Sequence, residues 1–151
     1  MSKENRNSSY GEENDINLSA FIGINRGANR AMKRASTIFR EHGLTTMQFA
    51  VLEVLYHKGD LKIGQITEKI LSTGGNMTVV INNLQKEGMV EKYADRRDSR
   101  ASVIHITEKG EKKIEEIFPH YLSDLKLFFA KINEEEKVEL ARILKKLMKD
   151  G

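Results

Sequence analysis

Apolar residues recur at helical spacing in six segments of this chain. The first segment predicts a helix over about 16–41, and Gly43 after it suits a left-handed helix end. In the second segment, Thr45 and Gln48 form a capping box that starts a helix, and Gly59 ends it. The first part of the chain is therefore predicted to be two helices with a short connection.

The next two helices are short, and a polar break at 72–75 separates them. Their apolar positions are Ile63, Ile66, Ile70, Leu71, Met77, Val80, Ile81 and Leu84. Ser72 and Thr73 in the break carry hydroxyls that can cap the fourth helix. The segments 89–94 and 101–106 are typical of strands, and the polar stretch between them predicts a hairpin.

Two further helices complete the chain. Thr107 caps the fifth helix, and Pro119 inside this helix predicts a kink. Asn133 and Glu136 form another capping box at the start of the sixth helix. Three short helices followed by a hairpin are typical of a winged helix-turn-helix. We therefore expect a mainly α fold with a small β-hairpin wing.

The order of elements predicts the domain organisation. Residues 1–15 contain almost no apolar side chains and predict a disordered tail. Residues 16–149 predict a single domain, with its winged helix-turn-helix core at 45–106. The flanking helices, at 16–41 and 107–149, carry more apolar surface than this core can cover. Burial of that surface in a two-fold dimer is the expected solution.

The composition excludes several classes of protein. The chain has 151 residues, 39% of them apolar, and no apolar run approaches the ~18 residues of a membrane-spanning helix. The tail lacks the apolar segment of a signal peptide, so secretion is not expected. The chain has no cysteine, which excludes disulfides, thiolate metal sites and thiol redox sensing. These features fit a cytoplasmic protein.

Basic residues are clustered, although the net charge is only +3 and the pI is near 9.0. One group on the first helix consists of Arg26, Arg30, Lys33, Arg34 and Arg40, without an intervening acid. A second group, in the predicted hairpin turn, consists of Arg96, Arg97 and Arg100. Local basic clusters attract phosphate even at a small net charge. The first group can steer DNA or can simply be a solvated face.

The predicted hairpin resembles the wing of the MarR family of transcriptional regulators. The residues at 95–100 are Asp-Arg-Arg-Asp-Ser-Arg, followed by alternating apolar residues, Thr107 and Gly110. The family's motif is roughly D-x-R-D-x-R and then L-T-x-x-G, with Ile106 here in place of the leucine. Residues 78–90 resemble the family's recognition helix, and 47–52 the start of its second helix. The resemblance covers about 16–149 and implies a dimeric DNA-binding repressor.

The resemblance also implies an effector. The run 49–60 is similar to a subgroup from Gram-positive bacteria that includes repressors responding to quinones and hydroquinones. Such regulators bind small aromatic or phenolic molecules between the dimerisation helices and the DNA-binding core. Candidate effector-binding side chains at that seam are Phe39, His42, Met47, Phe49, Tyr56 and Phe118. The alternative for each of them is a purely structural place in the core.

Candidate DNA contacts lie at the start of the recognition helix, which meets base edges in the major groove. They are Ser72, Thr73, Gly74, Gly75, Asn76, Thr78 and Asn82. Asparagine can pair with adenine, hydroxyls can contact phosphates or bases, and glycines permit close approach. Many family members have arginine directly after the threonine. This chain has Val79 there, so the resemblance transfers no contact to that position.

The wing supplies a second set of candidate contacts. Arg96, Arg97 and Arg100 suit a narrow minor groove, where the potential is most negative. The resemblance implies that Arg100 enters the groove while Asp98 steers its guanidinium. The alternative is a solvated hairpin tip with loose ion pairs.

No cofactor, metal or enzymatic activity is expected, because the four histidines are not paired at helical spacing and no catalytic motif is present.

Two functional hypotheses remain. The first hypothesis is a homodimeric repressor on a pseudo-palindromic duplex, with half-sites about 10 bp apart, released by a phenolic or quinone ligand. The alternative is a winged-helix protein-interaction module without specific DNA binding.

Overall fold

The computed structural model describes residues 8–70 and 76–149. In chain order its elements are α1 (Glu12–Glu41), α2 (Thr46–Lys58), β1 (Leu61–Lys62), α3 (Ile63–Ile70), α4 (Met77–Lys86), β2 (Val90–Ala94), β3 (Ser102–Ile106), α5 (Glu108–Phe128) and α6 (Glu134–Met148). By internal contacts the chain divides into two units, one up to Arg34 and one from Ala35 onward. The expectation of a mainly α fold with a small sheet is confirmed.

The first unit contains most of α1, and this helix begins earlier than the sequence predicted. The prediction of a disordered tail over 1–15 is wrong at its carboxyl end, because α1 starts at Glu12. Residues 1–7 lie outside the described part of the chain. The Asp15 carboxylate accepts hydrogen bonds from the Ser9 hydroxyl at 2.6 Å and the Tyr10 amide at 3.0 Å. Acidic residues in the first turn are also stabilised by the helix dipole.

The core of the second unit forms around α2. Five residues of this helix are buried, and they lie on several of its sides: Phe49, Val51, Leu52, Val54 and Leu55. They pack with buried residues of the neighbouring elements, among them Ile66, Ile81, Ile104 and Ile117. Burial of each such side chain stabilises the fold by roughly 1.5–3 kcal/mol. This core fixes α3, α4, the sheet and α5 around one helix.

The sheet contains one more strand than the predicted hairpin. β3 lies between β2 and β1, and both pairings are antiparallel. Leu61 of β1 pairs with Ile104 and is buried, whereas Lys62 points outward. β1 was not predicted because two residues are too few to show an alternating pattern. Its position depends on a partner strand more than 40 residues away.

The predicted caps are confirmed at three helices. Both capping boxes form, at Thr45–Gln48 and at Asn133–Glu136. Thr107 caps α5 by accepting a hydrogen bond from the Gly110 amide at 3.2 Å. α5 continues through Pro119, and the kink expected there stays a prediction.

The junction between the wing and α5 leaves no room for a side chain at Gly110. A Cβ atom at this position would overlap the carbonyl oxygen of Met89 and would lie 2.7 Å from Cγ1 of Ile106. The Met89 carbonyl already accepts a hydrogen bond from the Thr107 amide at 3.0 Å. The Thr107 hydroxyl donates a hydrogen bond to the Gly88 carbonyl at 2.6 Å. Glycine therefore allows α5 to pack directly against the end of α4 and the start of β2.

We predict that Gly110→Ala destabilises the protein by about 1–3 kcal/mol, because the added methyl overpacks this junction. Gly64→Ala is the matched control, since a Cβ at helical Gly64 meets nothing within 4 Å. That control should be neutral or slightly stabilising, because alanine is the better helix former. Urea unfolding compares the two variants, and equal stabilities would contradict the overlap at Gly110.

Candidate nucleic-acid interface

One face of α4 is buried, and the opposite face is open to solvent. Met77, Ile81 and Leu84 face the core at helical spacing. The exposed residues on the other side are Thr78, Val79, Asn82, Asn83, Gln85 and Lys86. This face contains no acidic residue and is polar except for Val79. Two predicted contact residues, Thr78 and Asn82, therefore lie on the surface available to DNA.

The amino terminus of α4 is capped by Asn76. Its Oδ1 accepts a hydrogen bond from the Val79 amide at 3.4 Å, and its backbone carbonyl accepts from the same amide at 3.0 Å. The expectation that a hydroxyl of the 72–75 break caps this helix is thus corrected, because asparagine serves equally well at this position. The predicted contacts Ser72, Thr73, Gly74 and Gly75 lie outside the described residues.

Two aspartates shape the tip of the wing, the loop that joins β2 to β3. Asp95 accepts a hydrogen bond from the Arg97 amide at 3.1 Å, and Asp98 accepts one from the Arg100 amide at 3.0 Å. Asp98 therefore holds the backbone of Arg100, while its steering of the Arg100 guanidinium stays a prediction. Arg96, Arg97 and Arg100 are all exposed.

A polar network on the outer face of the sheet ties the wing to β1. The Asp60 carboxylate accepts a hydrogen bond from the Tyr93 hydroxyl of β2 and lies 2.6 Å from Nδ1 of His105 on β3. The Lys62 ammonium pairs with Asp95 at 3.0 Å. We call these five residues the wing-base network. No sequence pattern indicated it, because its members are distant along the chain.

The wing-base network shifts the pKa values of its acidic groups. Partial burial acts to raise the pKa of Asp60, but the hydrogen bonds from Tyr93 and His105 outweigh it and hold this pKa below the usual 3.8. The pKa of Asp95 is lowered by the Arg97 amide and by Lys62. The same bond to Asp60 raises the pKa of the Tyr93 hydroxyl. Asp60 is therefore an acceptor that stays ionised at neutral pH.

Three of the six candidate effector residues, Phe39, Phe49 and Phe118, form one aromatic cluster. Phe39 and Phe49 are buried and stacked, with ring centroids 3.9 Å apart, and Phe118 lies 6.3 Å from Phe49. Tyr121, an apolar position of the predicted fifth helix that was not among the effector candidates, contacts all three rings. Met47 packs at the edge of the same core. These side chains fill the seam between α1, α2 and α5.

The other two candidates lie toward the margins of this cluster. The Tyr56 hydroxyl is exposed and donates to Glu115 at 3.2 Å. The ring of His42 lies 5.2 Å from that of His120, a proximity that sequence spacing did not show. Across residues 8–70 and 76–149, no group of three or more metal-ligating side chains occurs. Within the same ranges, no helix is both long enough and apolar enough to cross a bilayer.

An exposed polar helix and a basic wing on one core define a winged helix-turn-helix DNA-binding domain. Residues 33–117 match the family described as transcriptional regulator SarA/Rot. The HTH-type transcriptional regulator MhqR of Bacillus subtilis is 33% identical over 130 residues, covering 86% of this chain and 90% of the relative. The chain belongs to the MarR family of winged helix-turn-helix transcriptional regulators. Family membership also confirms that it is not an enzyme.

Solved structures have the same fold. A MarR family protein from Bacillus stearothermophilus superposes with a TM-score of 0.69 at 26% identity, covering 92% of this chain and 96% of that one. BpsR of Bordetella bronchiseptica gives a TM-score of 0.70 at 23% identity, covering 83% and 98%. The DNA binding of BpsR is regulated by 6-hydroxynicotinic acid.

We predict that Asp60→Asn weakens the fold at neutral pH and that the loss shrinks in acid. Folding lowers the pKa of Asp60, so its carboxylate stabilises the native state fully above about pH 4. That contribution disappears as the pH falls through the lower native-state pKa. Chemical unfolding between roughly pH 3 and pH 7 measures the difference. A loss of stability for Asp60→Asn that stays constant across this pH range would contradict the prediction.

Proposed function

We propose that the protein is a homodimeric repressor that binds a pseudo-palindromic duplex. In each half-site, α4 enters the major groove while the wing enters the adjacent minor groove. The observation that carries the proposal is the structure of the wing tip. Its three arginines, Arg96, Arg97 and Arg100, are exposed, and hydrogen bonds to Asp95 and Asp98 hold its backbone. Because the backbone of the tip is already held, less loop freedom is lost when the arginines bind DNA.

The proposed contacts divide into two groups. In the major groove they are Asn76, Thr78 and Asn82, with Ser72, Thr73, Gly74 and Gly75 proposed from the sequence alone. In the minor groove they are Arg96, Arg97 and Arg100. Asp98 belongs to the site as the residue that positions the Arg100 backbone. The exposed polar face of α4 and the exposed wing arginines support both groups.

Exposed apolar side chains support a dimer. In the first unit, α1 exposes Ile16, Leu18, Phe21, Ile22, Ile24 and Met32. In the second unit, α5 and α6 expose Leu122, Leu127, Val138, Leu140, Ile143, Leu147 and Met148. Apolar surface of this extent on monomers marks an interaction site. A second copy is the proposed partner for both surfaces, and a two-fold axis then places the half-sites about one helical turn, ~10 bp, apart.

A small phenolic or quinone molecule is proposed as the effector. The aromatic cluster lies at a junction between helices, where such ligands commonly bind. The resemblance of 49–60 to quinone-responsive repressors agrees with this. An effector there acts by favouring a half-site spacing that does not fit DNA. Calorimetry with phenols and quinones on the free protein, paired with release from DNA, tests the proposal; heat without release would contradict it.

The decisive experiment begins with selection of bound sequences from random duplexes. We expect native mass spectrometry to show two chains on each selected duplex. Arg100→Ala should weaken binding by about 1–3 kcal/mol and make the salt dependence shallower by about one unit of slope. The arginine contributes both a groove contact and a displaced counterion.

Arg142→Ala is the control for charge, because exposed Arg142 pairs with Glu139 on α6, outside the wing. It should leave the affinity and the salt slope nearly unchanged. A protein-interaction module would give a different result: no enriched sequence and no effect of Arg100→Ala on DNA binding. That result would overturn the proposed function.

A further inference from the structure

Val79 is an unusual residue for the outer face of α4. It is 50% exposed, whereas the other apolar residues of this helix are buried or partly buried. Exposed valine adds nothing to helix stability, because its β-branched side chain loses rotamer freedom in a helix. It lies one turn before Asn82 and Asn83, so the three side chains share one stripe on the surface. The fold therefore leaves an apolar group in the middle of a hydrogen-bonding face.

The DNA major groove contains one apolar group that fits such a residue. Only thymine presents a methyl group there, and apolar side chains discriminate thymine by contacting it. Asparagine has a matching role, since its amide pairs with N7 and N6 of adenine. Valine and asparagine on one stripe are thus chemically suited to the two partners of A·T base pairs.

The helix geometry agrees with neighbouring base pairs. Val79 and Asn82 are about 4.5 Å apart along the helix axis, from the rise of 1.5 Å per residue. Successive base pairs are about 3.4 Å apart along each strand. A recognition helix lying along the groove would therefore place Val79 and Asn82 roughly one base step apart.

From this arrangement we propose that Val79 is a specificity-determining residue that contacts the 5-methyl group of a thymine in each half-site. This inference rests on the proposed function. Val79 makes no hydrogen bond to the base and discriminates by burying the methyl group away from water. Cytosine lacks this methyl group, and its replacement of thymine also changes the groove pattern.

Replacement of thymine by deoxyuridine provides the test, because it removes only the methyl group. On a duplex selected by the unmodified protein, each thymine of a half-site is replaced in turn. We expect one position in each half-site to weaken binding about fourfold, the effect of one buried methyl group. Val79→Ala should lose most of the discrimination between thymine and deoxyuridine, because its shorter side chain covers less of the methyl group. Val79→Thr, which keeps one of the two branch methyl groups, should retain more of it.

If every deoxyuridine duplex binds the unmodified protein like the parent, the inference about Val79 is wrong while the proposed function stands. The inference also fails if Val79→Ala is as sensitive to deoxyuridine as the unmodified protein. If selection yields no specific duplex at all, the proposed function itself fails.

Discussion

Burial of α2 on several of its sides is the constraint on which the rest of this structure depends. Its apolar side chains meet α3, α4, β3 and α5, so each of these elements is positioned by contact with the same helix. The exposed face of α4 and the wing receive their relative placement from this packing. The candidate DNA-binding surface is therefore positioned by the core, although none of its polar residues belongs to the core.

Local signals in the sequence predicted most of the fold. The capping boxes at Thr45 and Asn133 and the cap at Thr107 marked helix starts correctly, because each depends on residues three positions apart. The start of α1 was placed too late, since polar first-turn residues look like a tail when their interaction with the helix dipole is ignored. β1 escaped prediction because its pairing is with a strand far along the chain.

In the candidate site too, local features could be predicted from the sequence, whereas contacts between distant residues could not. The wing arginines and the exposed position of Thr78 followed from the motif and from helical spacing. The contributions of Asp60 and Tyr93 could not be predicted, because their contact joins residues 33 positions apart. The capping role of Asn76 was missed for a different reason: nearby hydroxyls offered equally good caps, and sequence alone does not choose among them.

The two-residue strand β1 has a mechanical consequence. Asp60, Leu61 and Lys62 are consecutive, and they connect the carboxyl end of α2 to α3 while binding both strands of the wing. Asp60 lies two residues beyond the last turn of α2, so a short connection holds that turn to the wing. A shift of the wing away from α2 would have to break the contacts of Asp60 with Tyr93 and His105 together with the pairing of Leu61 with Ile104. The end of α2 and the base of the wing are therefore expected to move as one piece.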